Sequence, residues 1–250
     1  MNNNNLNRRM ALLIDADNVS HKYIKLILNE LSNHGIVTYR RAYADWTMDI
    51  KRQWKQVCLE NSITPVQSYS YTTGKNSSDA SLTIDAMDIL YANNVDGFCI
   101  VTSDSDFIHL VHRLRESGKY VLGMGERNKT NNLEKAFNRF IYLESLVTNE
   151  EEETPSNNKT NEKQLDGSDL KFFTKVLLKI IDEIDESGGY VRLSEVGGVL
   201  YKRHPEFDAR NYKEKSLSNL AKKIKQLEVV EENDPNNELI KIVFVKIKRK

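Results

Sequence analysis

Aspartate residues follow two apolar segments of the sequence at the points where β-strands would end. Asp15 closes the run MALLID, Asp104 and Asp106 come directly after the run GFCIVT, and Asp79 opens a segment of helical periodicity. Carboxylates held close together raise one another's pKa, and a divalent cation removes that conflict. Oxygen ligands without histidine or cysteine favour Mg²⁺ or Mn²⁺ over zinc. Such ions activate water and stabilise the leaving oxygen of a phosphodiester, so the chemistry that suits these acids is hydrolysis.

The elements that must position these acids alternate between strand and helix patterns. Such alternation predicts an α/β domain with a parallel sheet and helices on both faces. Ligands of such sheets bind outside the carboxyl ends of the strands, where Asp15 and Asp104 would meet at one edge. The predicted strands are 10–15, 36–44, 63–69, 97–102 and 119–124, and the predicted helices are 19–34, 49–61, 78–92, 105–117 and 131–138.

A simpler role exists for each acid taken singly. Aspartate and serine before a helix are more often N-caps than ligands, whereas three sites that converge on one sheet edge favour a shared function. In the predicted helix 78–92, Thr83 shares a face with Asp79, while the helical period turns Asp85 about 120° away. The spacing therefore favours Asp79 over Asp85 as a member of the site.

Composition restricts the class of protein. The 250 residues are 39% hydrophobic and 29% charged, which is typical of a soluble globular protein of one large or two modest domains. No apolar run reaches the roughly 18 residues of a membrane helix, and the first residues lack the apolar core of a secretory signal. Two cysteines exclude a disulfide framework and a cysteine zinc site. We expect a cytoplasmic protein without a membrane partner.

A polar, acidic segment divides the sequence. Residues 149–168 contain almost no apolar side chains and predict a flexible linker between a first domain, 1–148, and a second, 169–250. In the second domain three helical patterns precede two β-rich runs joined by the turn signal DPNN, which is the outline of a small α+β winged-helix domain. The expected helices are 170–185, 193–202 and about 216–227, and the β-rich runs are 228–231 and 239–246.

Four motifs of the first domain, in this order, resemble the NYN domain of the LabA-like group, a branch of the PIN-like nucleases. They are LLIDADN (12–18), KNSSDASLTID (75–85), VTSDSDF (101–107) and LEKAFNRFIYL (133–143). The resemblance covers 9–146 and implies a PIN-like, Rossmann-like sheet that cleaves RNA with Mg²⁺ or Mn²⁺. By this resemblance the catalytic and metal-binding acids are Asp15, Asp79, Asp104 and Asp106, with Asn18, Asp85 and Ser103 in support.

Polar and basic residues near these acids could contact RNA. Lys75 and Asn76 lie in a polar segment beside Asp79 and are well placed to touch a substrate. Where this chain has Asn76 and Ser103, the NYN family often has glycine. Basic and aromatic residues also alternate in two segments, where they could bind phosphates and stack on nucleobases. A solvated helix face explains Lys51 and Lys55 equally well. These residues are Tyr39, Arg40, Arg41, Tyr43, Trp46, Lys51, Arg52, Trp54 and Lys55.

The second domain resembles the OST-type helix-turn-helix, or LOTUS, domain over nearly all of 169–247. The motifs are GGYVRLSEVGGVL (188–200), HPEFDARNY (204–212) and KSLSNL (215–220). That family binds RNA or docks proteins, so RNA is the expected partner, and a protein partner and a homodimer stay open. Its predicted basic surface contains Lys202, Arg203, Arg210, Lys213, Lys215, Lys222, Lys223 and Lys225, of which Arg203, Arg210, Lys213 and Lys215 are the expected RNA contacts. Lys213 stands where the family usually has glycine.

Three classes of function are compared at this point, and the motifs favour the first. The first is a metal-dependent ribonuclease whose second domain recruits RNA, and the alternative is a non-catalytic RNA-binding or regulatory adaptor. The third is a phosphatase of the haloacid dehalogenase type, but that class needs threonine or valine directly after Asp17, where this chain has Asn18. A dinucleotide-binding enzyme is excluded because no G-x-G-x-x-G follows the first strand. The patterns leave open RNA against DNA and endonuclease against exonuclease action.

Overall fold

The computed structural model describes residues 7–48, 51–69, 77–127, 132–147, 167–185, 187–234 and 237–248. The chain divides into two compact units, residues 1–152 and 153–250. The predicted linker, 149–168, lies outside the described residues except for its last two positions, which belong to the first helix of the second unit.

In the described part of the first unit, six parallel strands form one sheet in the order β3-β2-β1-β4-β5-β6. The predicted α/β fold is confirmed. The strands are β1 (Arg9–Asp15), β2 (Ile36–Ala44), β3 (Thr64–Gln67), β4 (Gly97–Val101), β5 (Tyr120–Gly125) and β6 (Arg139–Tyr142). The helices are α1 (Ile24–Ser32), α2 (Arg52–Glu60), α3 (Ser77–Ala92), α4 (Ile108–Glu116) and α5 (Glu144–Val147), with 3₁₀ turns at His21–Tyr23, Ser105–Phe107 and Leu133–Ala136.

The central strands are apolar on both faces because each face packs against helices. Leu12 and Ile14 belong to a core layer shared with α1 and α2, whereas Leu13 belongs to a second layer shared with α3 and α4. Alternate residues of a strand point to opposite faces, so a continuous apolar run is what a doubly covered strand requires. The strands β1 and β4 pair side by side at the centre of the sheet, where burial on both faces is expected.

The structure differs from the sequence-based expectation at residues 131–142. The helix predicted for 131–138 is wrong: its described part contains only the 3₁₀ turn Leu133–Ala136, and a sixth strand that was not predicted, β6, follows it. The rings of Phe137 and Phe140 pack where Gly123 of β5 leaves space, and a Cβ on Gly123 would lie 2.8 Å from the ring of Phe137. Packing against a neighbouring strand thus overrides the local helical pattern.

Within its described residues, the second unit contains three α-helices and a small antiparallel sheet in the order β7-β9-β8, as the winged-helix prediction requires. Lys213 has φ of 61°, the left-handed conformation that glycine adopts without strain, at the position where the LOTUS family usually has glycine. The predicted turn DPNN has its two central residues outside the described residues. The elements are α6 (Gly167–Ile184), β7 (Val191–Arg192), α7 (Leu193–Arg203), a 3₁₀ turn (Ala209–Tyr212), α8 (Leu217–Lys223), β8 (Leu227–Asp234) and β9 (Asn237–Ile247).

Candidate active site

Asp15 is the last residue of β1 and is 1% exposed. Its Oδ2 accepts hydrogen bonds from the Asn18 side-chain amide and the Thr102 hydroxyl, each at 2.8 Å. Its Oδ1 accepts the backbone N–H of Asp17 at 3.2 Å. Burial raises the pKa of Asp15, and the hydrogen bonds from Asn18 and Thr102 oppose that rise. The carboxylate is therefore held in one orientation in a site that disfavours its charge.

Asp104 and Asp106 follow β4, the strand that lies beside β1. Asp104 is the N-cap of the 3₁₀ turn, and its Oδ1 accepts the backbone N–H of Asp106 at 2.9 Å. The hydroxyl of Thr102 accepts the backbone N–H of Asp104 at 3.1 Å while it donates to Asp15. One side chain thus links the ends of the two central strands. Asp104 does serve as a cap, the simpler role considered for it, and it does so at the sheet edge where Asp15 lies.

Asp79 lies in the first turn of α3. Burial and the negative charges of Asp15, Asp104 and Asp106 raise the pKa of Asp79 to about 6. The hydroxyl of Ser78 opposes this rise, since it donates to Asp79 Oδ1 at 3.5 Å. The charges of the other three predicted acids thus act on Asp79.

The donor set of this cluster fits a hard divalent cation, because carboxylate oxygens are the ligands that Mg²⁺ and Mn²⁺ prefer. In the described residues, however, no three histidine, cysteine, aspartate or glutamate side chains converge as a ready-made metal-ion site. What the structure shows is an electrostatic effect of the other acids on Asp79. Within the described residues, it does not show three acids arranged around one point. A cation would remove the repulsion that raises the pKa of Asp79.

Asp85 makes different contacts from the other acids. Its carboxylate pairs with the guanidinium of Arg41 and accepts the hydroxyl of Tyr43, both from β2. Burial and the Asp85 charge raise the pKa of Tyr43. The charges that raise the pKa of Asp79 come from the other three acids. In the structure Asp85 therefore anchors α3 to the sheet, one and a half turns beyond Asp79.

The other expected supporting residues separate into two groups. Asn18 binds Asp15, as described above, and Ser103 is buried, where its hydroxyl accepts the backbone N–H of Glu126 at 2.8 Å. Ser103 thereby ties the end of β4 to the end of β5. Lys75 and Asn76, the expected substrate contacts, lie outside the described residues.

Sequence reasoning missed the role of Thr102, and it named Lys51 only as a possible phosphate contact and not as a partner of Ala16 and Asp17. Thr102 carried a signal, since it directly follows β4 in the motif that supplies Asp104. Lys51 carried none: its ammonium donates to the carbonyl of Ala16 at 2.6 Å and pairs with Asp17 at 2.9 Å, contacts that only the fold creates. Lys51 thus places a positive charge directly beside the acidic cluster.

Comparison with known proteins decides the family. The model of the NYN domain matches residues 9–144, more than half of the chain. The chain belongs to the NYN domain family. The model of the OST-HTH/LOTUS domain matches residues 168–239. Both predicted resemblances are confirmed at this level.

Comparisons with individual proteins add less about this chain than the family models do. The chain is 27% identical over 123 residues to the uncharacterized protein MJ0482 of Methanocaldococcus jannaschii, and the match spans 47% of each chain. A crystal structure of VPA0982 from Vibrio parahaemolyticus, a protein of unknown function, matches with 21% identity and a TM-score of 0.47 over 57% of this chain and 96% of that one. The chain therefore spans about half the length of the curated relative.

The two domain families indicate a class of function. NYN domains are PIN-like nucleases, a group that typically uses divalent metals. LOTUS domains are RNA-binding modules. Among the described residues, no helix combines the length and the apolar character needed to span a bilayer.

Acidic residues pair with several members of the predicted basic surface of the LOTUS domain. Arg210 is bound through two of its nitrogens to Asp208, the N-cap of the 3₁₀ turn, and its side chain is only 16% exposed. Arg203 pairs with Glu183 at 2.6 Å. Lys213 and Lys215 are exposed. That all four residues contact RNA stays a prediction. The exposed Lys213 and Lys215 fit this prediction better than Arg210 does. Pairs also form between Lys222 and Glu231 and between Lys223 and Glu214.

Replacement of Thr102 by valine tests the link between the strands of the NYN domain. The variant loses the hydroxyl that donates to Asp15 and accepts from the Asp104 backbone. We expect the free energy of unfolding to fall by about 1–3 kcal/mol, because a buried donor and acceptor lose their partner. Urea denaturation measures this loss, and Thr102→Ser is the matched control that keeps the hydroxyl. Equal stability of the valine and serine variants would contradict the role of the hydroxyl.

The raised pKa of Asp79 makes the stability of the metal-free protein depend on pH. The folded state binds this proton with a pKa of about 6, above the ordinary value of 3.8, so the folded state carries more protons between these values. The free energy of unfolding therefore falls as pH rises through this window. Asp79→Asn removes this penalty, and we expect it to stabilise the protein in EDTA at pH 7.5 by about 1–2 kcal/mol.

The measurement is urea denaturation of both proteins from pH 4 to 8 in EDTA. The gain of the Asp79→Asn variant should disappear below about pH 4, where both forms are neutral. An asparagine variant that is less stable than the wild type at pH 7.5 would show that the repulsion at Asp79 is absent.

Proposed function

We propose that this protein is a metal-dependent ribonuclease that hydrolyses phosphodiester bonds of RNA at Asp15, Asp79, Asp104 and Asp106. The observation that supports it most is the position of Asp15 and Asp104 at the ends of the neighbouring strands β1 and β4, joined through Thr102, with their charges acting on Asp79. Four acids kept together at a cost in stability are the arrangement expected of a cation site. The resemblance of the motifs to the LabA-like group agrees with this assignment.

The proposed site divides its tasks among few residues. The four acids would hold Mg²⁺ or Mn²⁺. A bound cation of this kind supplies water activation and stabilises charge on the leaving oxygen. Asn18 and Thr102 orient the Asp15 carboxylate through their hydrogen bonds. No side chain is needed as the nucleophile.

In the same proposal, the two domains have different roles. Residues 1–148 form the nuclease, 149–168 join it to the second domain, and 169–250 recruit RNA through the exposed lysines of the LOTUS domain. The linker lets the second domain hold a strand while the first acts on it, which raises the local concentration of substrate at the acids.

Cleavage of end-labelled RNA tests the proposal. Purified full chain is incubated with single-stranded RNA, or with DNA of the same sequence, in Mg²⁺, Mn²⁺ or EDTA. We expect RNA to be cut in either metal and to stay intact in EDTA. Intact RNA under all conditions, together with measurable RNA binding, would replace the ribonuclease by the RNA-binding adaptor. Cleavage of DNA alone would contradict the substrate class.

A further inference from the structure

A groove of about 750 Å³ lies at the β3 edge of the NYN domain. It is formed by the segment after β2, by α2 and by β3, and we call it the α2 groove. Its volume is within the roughly 300–1,000 Å³ of small-molecule sites in proteins. The residues that matter for its chemistry are Trp46, Met48, Lys51, Arg52, Lys55 and Leu59.

The apolar part of the α2 groove is a preformed platform. The indole N–H of Trp46 donates to the carbonyl of Val66 at 2.8 Å, and the ring packs edge-on against Trp54. Met48 is 54% exposed and Leu59 is 71% exposed. Exposed apolar side chains beside a fixed aromatic ring provide a surface on which a planar group can stack.

The charged part of the α2 groove is positive. Lys51, Arg52 and Lys55 line it, and no acidic residue is among its described lining residues. Lys51 and Lys55 are one helical turn apart, so they share a face of the helix that begins at Arg52. Arg52 and Lys55 are exposed. Such a surface attracts an anion. Together with the apolar platform, it favours a ligand that carries both a negative charge and a flat apolar group.

The α2 groove continues to the acidic cluster. Lys51 lines the groove and also binds the carbonyl of Ala16 and the carboxylate of Asp17, the two residues that follow Asp15. Lys51 therefore connects the groove to the two residues that follow Asp15. The acids repel a phosphate, so a strand cut there needs cations nearby to hold it.

We propose that the α2 groove binds an unpaired nucleotide of the RNA strand beside the bond that is cut. Its base lies against Trp46 and Leu59, and its phosphate lies on Arg52 and Lys55. This proposal deepens the proposed function and rests on it. A second copy of the chain would meet the two exposed cations Arg52 and Lys55 and no acid among the described lining residues, so charge favours a polyanion as the occupant.

Photo-crosslinking tests the proposal without cleavage. The full chain is mixed in EDTA with an oligouridine of about 12 nucleotides that contains 4-thiouridine, irradiated, and analysed by mass spectrometry. We expect crosslinks in the segment 46–65. In the double variant Arg52→Glu, Lys55→Glu, the yield of these crosslinks should fall at least about tenfold. The slope of log affinity for RNA against log salt concentration, the salt slope, should fall in magnitude by about 1.4, because each lost phosphate contact on a single strand removes roughly 0.7.

The matched control is Arg113→Glu, which reverses an exposed charge in the last turn of α4, on the opposite face of the sheet. It should leave the crosslinks and the salt slope unchanged, and thermal unfolding should show that all variants fold. Crosslinks confined to the LOTUS domain, or crosslinks in 46–65 that the double variant keeps, would overturn the proposal. A change of mass of the double variant in light scattering would assign the groove to a second copy instead.

The two proposals can fail separately. Crosslinks in 46–65 that depend on Arg52 and Lys55, from a wild type that never cuts RNA, would keep the groove and remove the ribonuclease. Metal-dependent cleavage whose KM for single-stranded RNA is unchanged in the double variant would keep the ribonuclease and remove the groove.

Discussion

Asp15→Asn is expected to reduce metal-dependent RNA cleavage by about 100- to 1,000-fold, the loss seen when one preorganised electrostatic group of an active site is removed. The side chain is 1% exposed and both of its oxygens accept hydrogen bonds, so the amide keeps the shape but turns an N–H group toward a neighbouring donor. The variant lacks the negative charge that a cation requires. Removal of a buried charge stabilises the variant, whereas the hydrogen bonds that the amide loses oppose this gain, so its folding has to be measured.

Initial rates with end-labelled RNA in Mg²⁺ measure this loss, and thermal unfolding shows that the variant folds. The matched control is Asp88→Asn, which removes an exposed carboxylate from α3 and should cleave at the wild-type rate. RNA binding in EDTA should be equal in all three proteins, because the LOTUS domain is unchanged. A wild-type rate for Asp15→Asn would remove Asp15 from the proposed site.

Asp85→Asn should have the opposite effect on stability from Asp79→Asn, although both acids lie on α3. The Asp85 carboxylate pairs with Arg41 and accepts the Tyr43 hydroxyl, so the amide leaves a cation without its counter-charge. We expect a loss of about 2 kcal/mol in the free energy of unfolding. This is below the 3–5 kcal/mol typical of a fully buried pair, because the Arg41 side chain is 32% exposed and partly solvated.

Urea denaturation in EDTA at pH 7.5 separates the two aspartates, with Asp88→Asn as the exposed control that should change stability by less than about 0.5 kcal/mol. The result also decides the role of Asp85. A variant of unchanged stability that loses RNA cleavage would return Asp85 to the metal cluster, where the family resemblance had placed it.

The fold of the NYN domain could be predicted because its signal is local and repeated. Apolar runs followed by helical stripes indicate parallel strands and covering helices, and β1 and β4 follow that rule. Strand β6 has only four residues and follows a segment with a helical pattern, so its pairing with β5 was not predicted. A short edge strand depends on what packs beside it, here the rings that fill the space over Gly123.

The candidate site could be predicted to the level of its acids. Asp15 and Asp104 follow neighbouring strands, and parallel strands bring their carboxyl ends to one edge, so their meeting needs only the strand order. The same reasoning could not assign Thr102 its double role, because an ordinary threonine at a strand end has no distinctive pattern. Its hydroxyl matters because Asp15, 87 residues earlier, lies beside it.

By itself the sequence determined the α/β architecture, the winged-helix outline, and four acids placed at strand and helix ends, because periodicity and order along the chain contain that information. The tertiary structure decided which charges have partners. Asp85 contacts Arg41 across 44 residues, and Lys51 contacts Ala16 across 35. The energy of an ion pair depends on distance and burial in space, neither of which a linear pattern contains.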